Sequence, residues 1–312
     1  MDNKNIKYWI WLSRIKNVNC IQKEMLLNKY KTPERIWNLK EEELNEIKEL
    51  DKNFIEEILK VDYRKNLDFY EKYIQNNNIK IITIFDEAYP EKLKNIYDKP
   101  IVLYAEGNIE LLKHDGISII GCRNCTSYGK ETAQKLSYDI AKQNICIISG
   151  LAKGIDTYSH IGALEAKGNT IAVIGNGLDN VYPYENKKLC ERILENNGLI
   201  ITEYIIGTKP DKLNFPQRNR IISALSDGIV VIEAREKSGT LITVDFGLEH
   251  GKEIFAVPGN LNCNNSVGTN QLIKQGAYLI TNYNYLNNTV HCACTYSIPV
   301  YYSSSTKTSV VL

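Results

Sequence analysis

The first 75 residues carry the spacing of apolar residues that is typical of amphipathic helices. Apolar side chains recur three or four positions apart, as in Ile47, Leu50 and Phe54, while lysine and glutamate fill many of the remaining positions. This spacing places the apolar side chains along one face of a helix. The pattern predicts a small helical domain over residues 1–75, with no strand in it.

From about residue 79 the chain changes to short runs rich in β-branched residues. They predict strands at Ile79–Ile84, Ile101–Tyr104, Ile117–Ile120, Ile145–Ile148, Thr170–Ile174, Leu199–Thr202, Gly228–Ile232, Glu253–Val257 and Tyr278–Ile280. Amphipathic segments between many of them predict helices at Lys130–Lys142, Thr157–Ala166, Lys187–Glu195, Ile221–Leu225 and Leu241–His250. Apolar strands that alternate with helices indicate parallel βαβ units with helices on both faces of the sheet. We therefore predict an α/β fold with a doubly wound sheet over residues 76–285.

Glycine follows several of the predicted strands, at Gly121, Gly150, Gly175 and Gly259. A glycine there permits a tight turn at the carboxyl edge of the sheet, where open α/β sheets bind their ligands. After residue 285 the periodic patterns stop and a serine and threonine run follows. We expect residues 286–312 to form a short extended polar tail.

Composition adds three expectations. The chain has 43% hydrophobic and 24% charged residues, no apolar run long enough to span a membrane and no secretory signal. Eight cysteines scattered over 312 residues do not resemble a disulfide framework, so we expect a reducing, cytoplasmic location. The formal net charge is +1, so any nucleic-acid site has to be a local cluster of cations.

Two turns that follow strands could bind phosphate. Gly121 and Arg123 come directly after a strand and before a helix, where backbone amides and an arginine bind anions. Ser149, Gly150 and Lys153 belong to a second such turn. The alternative for both is a plain strand–turn–helix junction. Within the second segment we interpret Asp156 as the N-cap of the next helix and His160 as a packed or capping residue rather than a catalytic one.

A third candidate combines cations with an aromatic residue. Lys209, Lys212, Arg218 and Arg220 flank Phe215 within twelve residues of a nearly neutral chain, and Asn219 lies between the two arginines. Cations neutralise phosphates, and an aromatic ring offers a stacking face for a base, which together suit single-stranded nucleic acid. In the alternative interpretation Phe215 is a core residue, the cations are solvated and Asn219 caps a helix.

A fourth candidate is the turn Ser238, Gly239 and Thr240, which follows a strand and opens a helix. Two further glycine turns, Pro258–Gly259 and Gly268–Asn270, lie downstream. Several such turns along one sheet edge predict an extended groove rather than one small pocket.

Other chemistry finds little support in the sequence. Cys122 and Cys125 form a C-x-x-C, and His291, Cys292 and Cys294 cluster near the end, but no second correctly spaced pair completes a zinc site. No Walker lysine and no complete dinucleotide fingerprint is present, so we expect no cofactor. No serine–histidine–acid arrangement can be assembled from four histidines, so we expect no catalytic residue.

Over residues 80 to 283 the chain resembles the DNA-processing protein DprA/Smf family. The resemblance rests on Tyr89-Pro90, Gly121-x-Arg123, SGLAKGID at 149–156, TIAVIGNGLD at 170–179, Phe215-Pro216-x-Arg218-Asn219-Arg220, SGTLIT at 238–243, VPG at 257–259 and Gly268-Thr269-Asn270. So many ordered matches are far more specific than any single glycine turn.

The resemblance implies an extended Rossmann-like, doubly wound sheet that follows a small N-terminal, SAM-like helical domain. It implies binding of single-stranded DNA, delivery of that DNA to the RecA recombinase during natural transformation, and a homodimer. Arg123 is then placed near the DNA phosphates, and Lys212 and Phe215 contact phosphate and base.

The chain departs from the family pattern in two places. The segment 15–19 has asparagines where the family often has the glycines of a DNA-binding hairpin, so contact through that turn is not expected. The residues after 285 are too few and too polar for the winged-helix domain that many members carry.

The main rival interpretation is an enzyme similar to nucleoside 5'-monophosphate phosphoribohydrolases of the LOG group. Their signature is Pro-Gly-Gly-x-Gly-Thr followed closely by glutamate, whereas this chain has Thr243 and Val244 where the carboxylate is expected. Glu249 is two turns further along. A glycosidic cleavage without a placed carboxylate lacks its acid/base group, so we expect no catalytic activity.

Overall fold

The computed structural model describes residues 6–16 and 18–287. The predicted polar tail lies outside the described residues except for its first two positions, which end the last short helix. No helix within these ranges is both long enough and apolar enough to cross a bilayer.

Helices fill the N-terminal part of the chain and alternate with strands in the rest. Their bounds are α1 (Ile6–Arg14), α2 (Cys20–Tyr30), α3 (Pro33–Trp37), α4 (Glu41–Asn45), α5 (Lys52–Ile58), α6 (Leu67–Asn76), α7 (Glu91–Lys94), α8 (Ser127–Ala141), α9 (Ile155–Glu165), α10 (Lys187–Glu195), α11 (Asn214–Leu225), α12 (Gly239–Glu249), α13 (Val267–Lys274) and α14 (Asn284–Asn287). Side chains cap several starts: Asp51 accepts the N–H of Phe54 at 2.7 Å before α5, and Thr126 accepts that of Gly129 at 3.0 Å before α8.

The strands form one nine-stranded sheet in the order β1-β2-β6-β5-β4-β3-β7-β8-β9. Their bounds are β1 (Lys80–Thr83), β2 (Val102–Gly107), β3 (Gly116–Ile120), β4 (Cys146–Ser149), β5 (Thr170–Val173), β6 (Leu199–Thr202), β7 (Gly228–Val231), β8 (Glu253–Ala256) and β9 (Tyr278–Leu279). All neighbouring pairs from β6 to β9 in this order are parallel. The predicted α/β, doubly wound fold is confirmed.

Alternate residues of the central strands pack on opposite faces of the sheet. Ile147 of β4 packs with α8 and α9 residues, whereas its neighbours Cys146 and Ile148 pack with α11 on the other side. Both faces of the parallel strands are therefore buried, which explains their nearly continuous apolar sequences.

The N-terminal helices share the core of the sheet. Trp11 and Phe54, both fully buried, belong to the same apolar cluster as Leu103 of β2. Polar contacts join the two parts as well, because Ser13 and Tyr104 share a hydrogen bond of 2.7 Å. The predicted boundary near residue 75 thus marks a change of secondary structure and not a gap in the core.

Three sequence-based expectations need correction. β1 and β2 pair in antiparallel fashion with each other, and β2 pairs in the same way with β6. The connecting α7 has four residues, too few to cross the face of the sheet at about 1.5 Å per residue. The helix expected at Ile221–Leu225 begins at Asn214, and the expected glycine turn Gly268–Asn270 is part of α13.

A buried ion network ties α11 to its neighbours. The guanidinium of Arg220, 2% exposed, donates to both carboxylate oxygens of Glu203, at 2.5 and 2.8 Å. Its Nε also lies 3.0 Å from a carboxylate oxygen of Asp98. Arg220 was predicted to bind DNA, but these partners and its burial direct it into the protein.

We expect Arg220→Ala to lower the free energy of unfolding by about 3–5 kcal/mol, because removing one partner of a buried ion pair leaves the other uncompensated. Urea denaturation measures the change. Arg192, exposed on α10, provides the control, and Arg192→Ala should change stability by no more than about 0.5 kcal/mol. Equal stability of the two variants would contradict this interpretation of Arg220.

Candidate functional site

A groove of about 600 Å³ lies outside the carboxyl ends of β3 and β7. The chain runs from β3 through β4, β5 and β6 in one direction and then returns to place β7 on the other side of β3. The loops that follow β3 and β7 therefore diverge and leave a crevice, the usual ligand site of doubly wound sheets. The residues 121–124, 212, 215–216, 235 and 237–240 are among those that line this groove.

Phe215 is a half-buried side chain of the groove wall. Its ring stacks on that of Tyr182, with 5.6 Å between centroids and 28° between planes. The guanidinium carbon of Arg123 lies 5.2 Å from the centroid of the same ring. A Cβ on Gly175 would lie 3.0 Å from the Phe215 ring, so the ring rests against bare backbone. Arg123 and Phe215, which are far apart in sequence, thus share one surface.

Arg218 lies beneath that surface. It is 4% exposed, and its guanidinium donates to the carbonyl of Gly150 at 2.6 Å and to the carbonyl of Val173. Burial lowers the pKa of Arg218 to about 10, so the group remains charged near neutrality. Asn219 accepts from the Arg218 Nε at 3.2 Å instead of capping a helix. Arg218 therefore connects α11 to the ends of β4 and β5 and positions the groove.

The loop after β4 is fixed by a buried carboxylate. Asp156 accepts the N–H groups of Gly150 at 3.1 Å and Ala152 at 3.3 Å. Burial raises the pKa of Asp156. The predicted N-cap role is wrong, because Gly154 occupies the N-cap position of α9 and Asp156 lies in the first turn. Ser149 is fully buried and donates to the carbonyl of Ile119 at 2.7 Å, so its hydroxyl does not reach the groove.

The loop that carries Arg123 is fixed from the side of β7. Glu233, 1% exposed, accepts the N–H of Thr126 at 3.0 Å. Asn265 donates to Glu233 at 3.1 Å and to the carbonyl of Asn124 at 2.8 Å, and it accepts from the Arg235 Nε at 3.0 Å. The sequence analysis missed Asn265, because nothing in a single sequence indicates which asparagine lies beneath a loop 141 positions away.

Four exposed cations line the groove: Arg123, Lys212, Arg235 and Lys237. Among its described lining residues Asp156 alone carries a carboxylate, and that group is buried.

The turn 238–240 places the start of α12 at the groove. The Ser238 hydroxyl accepts the N–H of Thr240 at 3.2 Å, and a Cβ on Gly239 would meet no atom within 4 Å. A helix N-terminus favours anions, so groove and helix attract the same kind of ligand.

Lys153 lies next to this surface, in a small cavity that Arg123, Tyr182 and Phe215 also line. Its ammonium contacts the carboxylate of Glu185 at 2.5 Å, and both side chains are more than half exposed. The hydrogen bond from Lys153 lowers the pKa of Glu185. A phosphate that approached Lys153 would compete with Glu185.

The remaining motifs lie elsewhere or are structural. His160 is fully buried against Thr170, and burial lowers its pKa to about 3. Cys122 and Cys125 are free thiols, and burial raises the pKa of each. In the described ranges no three His, Cys, Asp or Glu side chains are grouped as a metal site, and His291, Cys292 and Cys294 lie outside those ranges.

Comparison with known proteins gives consistent matches. A family model described as DNA recombination-mediator protein A matches residues 80–291. The chain is 41% identical to the DNA processing protein DprA of Streptococcus pneumoniae over 222 residues, which cover 68% of this chain and 78% of that protein. It is 45% identical to the DNA processing protein DprA of Bacillus subtilis over 207 residues, 66% of this chain and 69% of that protein.

Two solved structures are similar to this one. The X-ray structure of DprA from Streptococcus pneumoniae has a TM-score of 0.77 at 34% identity and covers 93% of this chain and 98% of that one. The structure of DprA from Helicobacter pylori has a TM-score of 0.61 at 33% identity and covers 68% of this chain and 96% of that one.

Two glycines of the groove should respond differently to an added methyl group. A Cβ on Gly150 would lie 2.6 Å from the Arg218 guanidinium, whereas one on Gly239 meets nothing within 4 Å. We expect Gly150→Ala to lower the free energy of unfolding by about 1–3 kcal/mol through overpacking. Gly239→Ala should leave it unchanged within about 0.5 kcal/mol. Urea denaturation of both variants checks this, and a wild-type stability for Gly150→Ala would contradict the role given to Arg218.

Proposed function

Because the chain belongs to the DNA recombination-mediator protein A family, also called DprA/Smf, we propose that it binds single-stranded DNA in the groove between the ends of β3 and β7. The observation that carries this proposal is the shared surface of Arg123 and Phe215, with Lys212 on the same groove wall. The structure of DprA from Helicobacter pylori, which is described as having a unique single-stranded DNA binding mode, supports the same activity.

The groove has the two kinds of group that a single strand requires. Exposed arginine and lysine side chains neutralise phosphates whatever the base sequence. An accessible aromatic ring stacks on a base, and every base has a face to offer. A duplex keeps its bases paired and stacked inside, so it can use the cations but not the ring of Phe215. We therefore expect little sequence preference and a preference for single strands.

The proposal gives most of the predicted site residues a role. Arg123 and Lys212 contact phosphates, Phe215 stacks on a base, and the start of α12 at 238–240 offers backbone amides. Lys153 contributes once Glu185 is displaced. The floor of the groove is formed by Arg218 and Gly121, and Gly150 lies against the guanidinium of Arg218. The side chain of Asn219 accepts a hydrogen bond from Arg218. Ser149 and Arg220 stay outside the proposed contacts because their side chains are buried in other interactions.

Three further properties are proposed: the recombinase partner and the homodimer on the basis of family membership, and the location on the basis of the scattered cysteines. We propose that the protein delivers single-stranded DNA to the RecA recombinase in DNA processing and natural transformation, and that it acts as a homodimer in the cytoplasm. The names of the relatives, which are DNA processing proteins, support the setting.

We propose that the protein is a binding protein and not a nucleoside 5'-monophosphate phosphoribohydrolase. Glu249, the candidate carboxylate of that rival activity, lines a different cavity together with Lys92 and His250. Asp156, which lines the groove, and Glu233, which lies beneath the loop that carries Arg123, are buried and accept backbone N–H groups of the loops. Both carboxylates thus have a structural role. This arrangement favours a protein that binds its ligand without catalysing a reaction.

Competition in a gel-shift assay tests the central proposal. A labelled single strand bound to the protein should be displaced by excess unlabelled single strand. Duplex of the same length and sequence should displace it much less, because paired bases cannot stack on Phe215. Equal or better competition by the duplex would exclude the proposed binding mode.

Three alanine variants should separate phosphate contacts from stacking. Arg123→Ala and Lys212→Ala should weaken binding and flatten its salt dependence by about 0.7 in slope per lost phosphate contact. Phe215→Ala should weaken binding by about 1–3 kcal/mol and leave the slope nearly unchanged. Fluorescence anisotropy at several salt concentrations measures both quantities.

Lys135→Ala, on the exposed face of α8, serves as the control for a general loss of charge and should bind like wild type. Thermal melting of all variants shows whether weaker binding results from unfolding. Loss of a core phenylalanine would lower the free energy of unfolding by about 3–5 kcal/mol. A wild-type salt slope for Arg123→Ala, or early melting of Phe215→Ala, would show that these residues do not form the proposed site.

A further inference from the structure

A second cleft, of about 890 Å³, lies between the N-terminal helices and the segment 203–217. The end of α1, the start of α2 and the residues Tyr63 and Tyr70 form one wall. The other wall consists of residues that follow β6, together with the first turn of α11. The proposed function makes no use of this cleft.

The cleft and the DNA-binding groove adjoin at the start of α11. Lys212, Phe215 and Pro216 line the groove, whereas Leu213, Asn214 and Gln217 line the cleft. The start of α11 thus contributes side chains to both the groove and the cleft.

The cleft contains three cations that have no carboxylate partner among the described residues. Arg14, Lys16 and Lys209 line it, and in the part of the chain that the structure describes none of them has a carboxylate within ion-pair distance. The guanidinium of Arg14 instead donates to the carbonyls of Tyr63 at 2.9 Å and Lys65 at 2.7 Å.

Most of the acidic side chains in the cleft are already engaged. Asp98 and Glu203 pair with Arg220, and Asp62 pairs with Lys65 at 2.6 Å. Asp211 is the remaining carboxylate among the described lining residues, and it accepts the N–H of Leu213 at 2.8 Å. An entering anion therefore meets more unpaired cations than carboxylates.

The cleft also repeats the arginine-on-aromatic arrangement of the groove. The guanidinium carbon of Arg14 lies 4.6 Å from the ring centroid of Tyr70, and that of Arg123 lies 5.2 Å from the centroid of Phe215. Tyr63 and Tyr70 are both half-buried, so each offers part of a ring to the cleft. Cations beside accessible rings suit the phosphates and bases of a single strand.

We propose that the cleft is a second segment of the single-strand path, in which Lys16 and Lys209 contact phosphates and Tyr63 and Tyr70 contact bases. This inference rests on the proposed function of the groove, because the strand enters the cleft from there. It assigns a DNA-binding role to the N-terminal helices and lengthens the occupied strand. It also departs from the expectation of no DNA contact at the segment 15–19, because Lys16 lines the cleft. A strand that only fills the groove does not reach the cleft.

The test compares two lengths of oligothymidine on the full chain. The short strand has about 6 nucleotides, and the long one has about 20, which exceeds the roughly 4–16 nucleotides that one single-strand binding domain occupies. We expect the double variant Lys16→Ala/Lys209→Ala to bind the short strand like wild type. With the long strand it should bind more weakly, with a salt slope flatter by about 1.4, or 0.7 for each of two lost contacts.

The matched control is Lys48→Ala/Lys135→Ala, which removes two exposed lysines, one from each part of the chain, that do not line the cleft. This control should bind both strands like wild type. A wild-type slope of the cleft variant on the long strand overturns the inference and leaves the groove intact. An equal loss on both strands, or an equal loss in the control, overturns it as well. If wild type binds neither strand, the proposed function itself fails.

A second readout does not depend on affinity. Photocross-linking with iodouracil-substituted strands should attach the long strand, and not the short one, to a peptide that contains Tyr63 or Tyr70. Cross-links of the long strand that are confined to groove peptides would contradict the path.

Discussion

The buried guanidinium of Arg218 is the interaction on which the groove depends. It joins α11 to the carbonyls at the carboxyl ends of β4 and β5, and it requires Gly150 to have no side chain. Because a buried cation without partners is very costly, these carbonyls and the guanidinium hold one another in place. That arrangement sets the first turn of α11, and with it Phe215, opposite the loop that carries Arg123.

A nearly neutral protein can still present a strong local field. The formal net charge is +1, yet the exposed ionised side chains that line the groove are cations. The carboxylates at the groove are buried, where they accept backbone N–H groups and keep the loops in position. In the neighbouring cleft the buried guanidinium of Arg220 pairs with two further carboxylates. The buried carboxylates thus stabilise the loops around the groove, whereas the exposed ionised side chains that line the groove are basic.

Much of the fold follows from the sequence, because apolar runs and the glycines after them report local structure. The parallel strands begin and end within one or two residues of their predicted bounds. The start of α11 was missed because Pro216 suggests a loop, although proline is tolerated in the first turn of a helix. The directions of Arg218 and Arg220 and the role of Asn265 depend on contacts between distant segments, which local patterns do not encode. For the same reason, the sequence motif around Phe215 indicates a site, but it does not indicate which of the four nearby cations, Lys209, Lys212, Arg218 and Arg220, face that site.

Amide hydrogen–deuterium exchange with and without a single-stranded oligonucleotide tests the central claim most directly, because it locates the bound strand on the unmodified protein. Bound DNA should slow exchange in the segments 121–126, 212–215 and 235–240, while α10 and β9, which do not line the groove, should exchange at unchanged rates. Slower exchange confined to other parts of the chain, with these three segments unaffected, would contradict the account.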